Sequence, residues 1–500
     1  MSGQIQTVLP TYFYAMLRRT LVWLALLLPF AAGAASENDD WTLERCVSYA
    51  LSHNISIQQS VLNERLAALT LKQSRLAQLP NLNLSTGYGV SYGRSIDPTT
   101  NQFVDGHYSF SSLGGQADVL LFGWFQKRNT IAKNDLAHQA AQSDLDQLKD
   151  DVSLNVATGF LRALLAKEQI GVAKKQVNLS MQQLGQTEKF AEAGRVPQLN
   201  VAQLSSQVAS DSATLITAIA DYNSAILDLK ALLNLDFETP FSITPPQVDP
   251  ASLYELTGFS AADVFAEARK HFGSIRGAEL RVESAQKGYA AARGALWPQL
   301  SLNAQAGSNY ASTYKDYGTP YATGTQTIGY VDVGNIINQP GLVTLPVTAP
   351  SFAVPVLGTT AYNTQLGNNF RHTYSVNLTI PVFNAWSAQA NARQSKINVA
   401  SQQLVQYNTE LKLKQDVYKA VSDARSSLQK YQAAQRAASA AREAFSFGEQ
   451  RYDLGLTNTV EYLTIQNNQF QADAAEVSAK YDLIFRLKVI DYYLGRTLKL

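Results

Sequence analysis

The chain has 500 residues, 41 basic and 40 acidic, for a formal net charge of +1. That near-balance argues against nucleic-acid binding, which carries a basic excess. A hydrophobic share of 46% excludes a disordered chain, and a single cysteine, Cys46, excludes a disulfide scaffold. Charged residues are only 16%, against roughly 25% in an average globular protein, and neutral polar residues and 24 tyrosines fill their place. The five histidines, His53, His107, His138, His271 and His372, are scattered, so no zinc-ligand set is formed.

Arg18 and Arg19 precede a short apolar run from Leu21 to Phe30, followed by Ala31, Ala32, Gly33, Ala34 and Ala35. A positive flank, a short apolar core and small residues at the end predict a secretory signal peptide over residues 1–35. The run is too short for a transmembrane helix, which takes about 20 apolar residues. Cys46 lies beyond the cleavage motif and reads as a small apolar residue on a helix face.

The rest of the chain is two copies of one unit, predicted to span residues 36–234 and 259–500. At an offset of 218, Ile57 meets Ile275, Leu62 meets Leu280, Leu82 meets Leu300 and Pro80 meets Pro298. At an offset of 261, Phe122 meets Phe383, Gly194 meets Gly455 and Leu233 meets Leu494. The difference places a 43-residue insertion in the second copy, between residues 302 and 383. A Pro-rich linker, residues 235–258, joins the copies.

Each copy opens with helical sequence, about 42–79 and 260–297, ended by Pro80 or Pro298 because proline holds the residue before it extended. Strand patterns follow. Leu82, Leu84, Thr86, Tyr88, Val90 and Tyr92 alternate with Asn83, Ser85, Gly87, Gly89 and Ser91. Leu300 and Leu302 alternate with Ser301 and Asn303, and Tyr374, Val376, Leu378 and Ile380 with Ser375, Asn377 and Thr379. The stretch 108–122 is less regular but keeps period two at Leu113, Ala117, Val119 and Leu121. Alternation over about 10 residues matches a transmembrane β-strand.

Long stretches without proline, about 125–193 and 386–454, predict helices of nearly 70 residues, roughly 100 Å at 1.5 Å per residue. Leu145, Leu148, Val152, Val156, Phe160 and Leu164 form one face at helical spacing. The helices stop at Gly194 and Gly455, and return helices follow over about 198–234 and 458–494. Four membrane strands cannot close a barrel, since the smallest bacterial barrels have about eight, and lipid cannot satisfy open edges. The fold class is therefore mainly α with membrane β-strands. Long helical hairpins form an α-barrel, and four strands per chain contribute to a shared oligomeric β-barrel.

In this layout the sequence resembles the TolC-like outer-membrane efflux proteins. The resemblance rests on the duplicated unit, on Leu121-Phe122-Gly123 and Val382-Phe383-Asn384 at strand-to-helix junctions, and on Arg451-Tyr452-Asp453-Leu454-Gly455 at the second helical tip. It implies a homotrimer in the outer membrane, a periplasmic adaptor protein, an inner-membrane pump that supplies the energy, and no cofactor. It implies a periplasmic gate at Tyr452, Glu461, Asn200 and Thr457. Glu461 matches the family's first gate carboxylate, and Asn200 the expected partner of Tyr452. Thr457 stands where the family has an arginine. It further implies adaptor docking at the tip turns, Gly194, Arg195, Val196, Gly455 and Leu456. From its residues alone, Glu461 reads equally as a solvated acid at a helix start.

Residues 311–372, rich in Tyr, Gly, Thr and Pro without a helix pattern, are expected to form an outer loop. Gly341-Leu-Val-Thr-Leu-Pro and Phe352-Ala-Val-Pro-Val-Leu are apolar enough to fold over a pore, and an ordinary surface loop is the alternative. The chain has no P-loop, His-Glu-x-x-His or Gly-x-Ser-x-Gly, so an enzyme is not expected. The competing function is a structural or adhesive cell-surface coiled-coil protein, which would not need strand pairs at matching points of two repeats.

Overall fold

The computed structural model describes residues 40–96, 101–245, 260–332 and 344–496. The expected signal peptide and residues 246–259 of the expected linker lie outside the described residues. So does the start of the first apolar loop motif, 341–343.

The elements in order are β1 (Asp40–Trp41), α1 (Leu43–His53), α2 (Ile55–Leu76), β2 (Asn81–Tyr92), β3 (Ser95–Ile96), β4 (Phe103–Val104) and β5 (His107–Phe122). Then come α3 (Gln126–Glu192), α4 (Gln198–Leu233), β6 (Ser242–Ile243), α5 (Ala261–His271) and α6 (Gly273–Gly294). The second sheet half and its insertion comprise β7 (Gln299–Ala311), β8 (Lys315–Tyr317), β9 (Tyr321–Asp332), β10 (Thr344–Ala353), β11 (Val356–Thr359), α7 (Tyr362–Asn368) and β12 (Arg371–Thr379). The chain ends with α8 (Ser387–Asp453) and α9 (Thr459–Tyr493). Among the described residues no helix is long and apolar enough to cross a membrane.

Each opening helix, expected to be continuous, is two helices. Asn54 (φ −63°, ψ 125°) and Phe272 (φ −67°, ψ 117°) are extended and break it. Part of the linker is tied to the first repeat, because β6 pairs in parallel with β1. Lys230 Nζ also ties the segment down, donating to the Phe237 and Thr239 carbonyls at 2.9 and 2.7 Å.

The chain folds as two compact units. One takes Ser56–Lys149 and Ala261–Lys419 and holds a four-stranded antiparallel sheet in the order β12-β7-β5-β2. The registers sort the side chains by chemistry. Leu82, Leu84, Tyr88, Leu113, Val119, Leu300, Leu302, Tyr374, Val376 and Leu378 share one face. Asn81, Asn83, Ser85, Gln116, Asp118, Asn303, Gln305, Ser375 and Asn377 share the other. Leu82, Leu84, Tyr88, Tyr374, Val376 and Leu378 are exposed. A register shift between Leu120 and Phe122 puts Leu121 in a bulge, which interrupts strict alternation at the end of β5. Among the described residues both sheet edges, β2 and β12, are unpaired.

Where strand passes to helix, two consecutive non-glycine residues are left-handed in each repeat. These are Trp124 and Phe125 (φ 48° and 62°) and Ala385 and Trp386 (φ 51° and 63°). Left-handed L-residues cost about 1–2 kcal/mol each, and the repetition marks a shared junction geometry. The Trp124 ring packs on Trp297 at 4.7 Å.

The insertion is more ordered than an ordinary loop. β9 pairs with β10, β8 with β11, and α7 is helical despite the absence of a helix pattern. Its base is pinned by Gln365, fully buried, whose amide accepts from Ala311 N (3.0 Å) and donates to Ala311 O (3.1 Å) and Thr360 O (2.8 Å). Ser308 Oγ donates to Leu366 O at 2.7 Å, and the Tyr362 hydroxyl lies 3.2 Å from Ser111 Oγ. Ser111 and Ser308 belong to the apolar face by register, so α7 seats there.

The other unit takes residues through Ile55, Asp150–Ser260 and Ala420–Leu500, and the regular structure of its described residues is helical apart from the β1–β6 pair. The predicted apolar face of α3 supplies Val152, Val156, Phe160 and Leu164 to its core, with Leu229 and Leu233 of α4 and Leu483, Ile484 and Leu487 of α9. Each such side chain contributes about 1.5–3 kcal/mol by leaving water. Ion pairs bind α8 to α9: Arg442 with Asp473 (2.8 Å) and Glu476 (2.5 Å), and Arg486 with Asp423 (2.8 Å). Cys46 is fully buried, and burial pushes its thiol up to about 12, so it is an inert packing residue as expected.

Candidate functional site

The two helical hairpins turn in the same way. Gly194 and Gly455 have φ +70° and +71°. At the first tip Arg195 N bonds Phe190 O (2.8 Å) and Gly194 N bonds Ala191 O (3.0 Å). At the second, Leu456 N bonds Arg451 O (2.8 Å) and Gly455 N bonds Tyr452 O (2.9 Å). Both are Schellman caps, which need a left-handed residue at this position. A Cβ added at either glycine meets no atom within 4 Å, so the backbone conformation alone selects glycine. Gly194→Ala and Gly455→Ala are expected to cost about 1 kcal/mol each, with Asn tolerated better, measured by thermal unfolding.

Around the turns the chain displays apolar side chains. Leu199, Leu454, Leu456 and Val460 are exposed, Val196 is half-buried, and the Arg195 guanidinium lies 5.2 Å over the Phe190 ring. Glu461 is exposed in the first turn of α9, where Asn458 Oδ1 caps its backbone N–H at 2.8 Å. Its charge stabilises the positive end of that helix. Thr457 is buried, and its hydroxyl has no hydrogen-bond partner among the described residues.

Tyr452 does bond to the first hairpin, but not through the expected residue. Its hydroxyl lies 3.4 Å from Thr187 Oγ1 on α3 and 3.4 Å from Thr459 Oγ1. Asn200 is not among its partners. Asn200 sits past the turn, in the first turn of α4, where its backbone N–H bonds Pro197 O at 3.0 Å. The link joins two neutral hydroxyls and is made one helix earlier, on α3.

Two groups at the tips escaped sequence reading. Tyr462, next to Glu461, is completely buried and stacked on Tyr452, with ring centroids 4.5 Å apart and Phe445 at 5.9 Å. Burial raises its phenol well above the usual range, reinforced by the negative charge of Glu449. Beyond it lies a buried polar network centred on Asp211 of α4. Ser180 and Gln176 of α3 donate to its Oδ2, and Gln207 donates to its Oδ1 at 2.8 Å. Gln207 also reaches Asn467 Oδ1 (3.2 Å), and Gln466 reaches Ser180 Oγ (3.3 Å), so the network ties both α3 and α4 to α9. An isolated aspartate in a helix carries no pattern that announces burial. Tyr462 had one, its place just past the Gly455 turn region.

The sheet with sorted faces and open edges, the paired helical hairpins and the matched glycine tips together define an outer-membrane channel architecture. The family model described as "Outer membrane efflux protein" matches residues 46–235 and 350–496. The chain belongs to the outer membrane efflux protein family, and its fold is that of the TolC-like channels. Outer membrane efflux protein BepC of Brucella suis biovar 1 is 22% identical over 451 residues, 89% of this chain and 83% of that one. Pyoverdine export outer membrane protein OpmQ of Pseudomonas putida is 25% identical over 217 residues, 43% of this chain and 44% of that one. Among solved structures, the Campylobacter jejuni CmeC outer membrane channel aligns with TM-score 0.69 at 17% identity, covering 91% of this chain and 85% of that one. Vibrio cholerae outer membrane protein VceC aligns with TM-score 0.69 at 14% identity, covering 91% and 97%.

Proposed function

We propose that the protein is the outer-membrane channel of a tripartite efflux or type I secretion system, a passive duct from periplasm to exterior. The observation that carries this reading is the four-stranded sheet with one exposed apolar face, one polar face and two edges unpaired among the described residues. Lipid suits the apolar face, water in a lumen suits the polar one, and further copies satisfy the edges. Three copies give a twelve-stranded barrel of family type.

The tips form the periplasmic gate. Glu461 projects from the start of α9, and a three-fold axis makes it a ring of three carboxylates that favours cations. The exposed Leu454, Leu456, Leu199 and Val460 offer an apolar surface to a periplasmic adaptor, and an inner-membrane pump supplies the energy. Reversal potentials of single channels in planar bilayers test the gate. Wild type is expected to prefer cations, and Glu461→Ala to lose most of that preference. Equal selectivity in the two proteins removes Glu461 from the conduction path.

A further inference from the structure

The strands β2, β5, β7 and β12 hold two charged side chains between them, Asp118 on β5 and Arg371, the first residue of β12. The register puts both on the polar face. Asp118 lies opposite Asn81 and Asn303, and Arg371 lies opposite Gly307. They do not neutralise each other. Asp118 shares its row of the sheet with Ser375, four residues along β12 from Arg371 and two strands away. That geometry separates the two backbones by roughly 16 Å, about twice the Debye length at physiological salt. Asp118 is also engaged nearby, since Gln116 Nε2 donates to its two carboxylate oxygens at 3.2 and 3.0 Å. Arg371 is exposed and has no ion-pair or hydrogen-bond partner among the described residues.

The strand itself does not need a cation at this position. At the repeat offset of 261 the equivalent residue is Phe110, on the same face between Gly89 and Ala311. What is particular to the second repeat is the insertion that precedes β12. α7 seats on the opposite, apolar face, and Asn369 Nδ2 donates to Asn309 O at 2.7 Å, two residues before Arg371. The start of β12 is thereby fixed. Next to Arg371 the sheet is low, because Gly307 and Gly114 carry no side chain. A Cβ at Gly307 would come 3.0 Å from Leu113 O, so the strand backbone resists a larger residue there. The result is a concavity of about 570 Å³ whose lining includes Arg371, Asn309, Ser85, Ser112, Gln305 and Thr373 and no carboxylate.

We propose that Arg371 is a specificity-determining residue of the duct, attracting small solutes that carry a carboxylate or phosphate oxyanion as they pass through the barrel. This rests on the channel reading and adds an anion-attracting zone to the carboxylates at the tips. A guanidinium fork matches the geometry of an oxyanion, and the hydroxyl and amide groups of the concavity supply neutral donors. Three copies set three guanidiniums around one lumen, where side-chain charge tunes selectivity. One exposed cation per copy holds an anion weakly, as a duct requires, because the solute must also leave.

Purified oligomer in planar bilayers tests this. Glu461→Ala takes the carboxylate from the tip, so its reversal potential in a salt gradient reports chiefly the barrel. Adding Arg371→Gln is expected to lower the anion-to-cation permeability ratio by about twofold or more, whereas Arg371→Lys keeps it. Inorganic phosphate in place of chloride on the outer side, at constant ionic strength, is expected to lower unit conductance more with Arg371 than with Arg371→Gln. If either readout is unmoved by Arg371→Gln, or if Arg371→Lys behaves as the glutamine variant does, the proposal is overturned and the currents leave the channel reading standing. A folded, inserted oligomer that passes no current in any form overturns the channel reading, and the proposal with it.

Discussion

Tyr462→Ala is expected to loosen the periplasmic tip by about 3–5 kcal/mol, the range for truncating a large buried aromatic. Tyr462 has no exposed surface, and it fills the space between Tyr452, Phe445 and Gln183 at the mouth of the α8–α9 hairpin. The Tyr452–Thr187 contact, at 3.4 Å between neutral hydroxyls, is weak by comparison. In the proposed gate, closure of the tip rests on packing more than on that link. Single-channel conductance should rise several-fold in Tyr462→Ala and stay near wild type in Tyr462→Phe, which keeps the ring. Tyr452→Phe should change conductance little. Tyr462→Ala channels as narrow as wild type would show that the stack does not hold the gate.

Asp211→Ala is expected to destabilise the helical unit by about 3 kcal/mol. It removes the acceptor for Ser180, Gln176 and Gln207 and leaves buried donors unsatisfied. Asp211→Asn keeps one acceptor oxygen and should lose less than half as much. The loss should be similar at low and high salt, because screening barely reaches a buried group. The exposed Arg162–Asp228 pair, 3.4 Å apart, should contribute under about 1 kcal/mol and fade with salt. Thermal unfolding of the oligomer at two ionic strengths compares them. A marginal effect of Asp211→Ala would mean the network is solvated in the assembled protein.

Much of this architecture is legible in the sequence because its physics is periodic. Alternation at Leu82–Tyr92 and at Tyr374–Leu378 needs only period two to reveal a strand with one apolar face. The Gly194 and Gly455 turns are legible because a left-handed cap tolerates few residues, and proline-free runs mark the long helices. The breaks at Asn54 and Phe272 were not legible, since neither residue forbids helix and tertiary packing decides. α7 escaped because seven residues carry less than two full periods, and its order comes from Gln365 bonding the backbone of a distant strand. At the tip, the resemblance pointed Tyr452 toward Asn200, but the hydrogen bond depends on which residue of α3 lies level with it, and that is Thr187. Asp211 was illegible because burial of a lone carboxylate depends on donors from separate helices.

The central claim is that copies of this chain enclose a continuous aqueous path through a membrane. Conductance of the purified, folded oligomer in a planar lipid bilayer tests it most directly. Discrete, long-lived steps whose size is set by the tip, enlarged in Tyr462→Ala, are the predicted result. A folded oligomer that inserts into the bilayer and passes no current in either form would contradict the channel and favour a structural role at the cell surface.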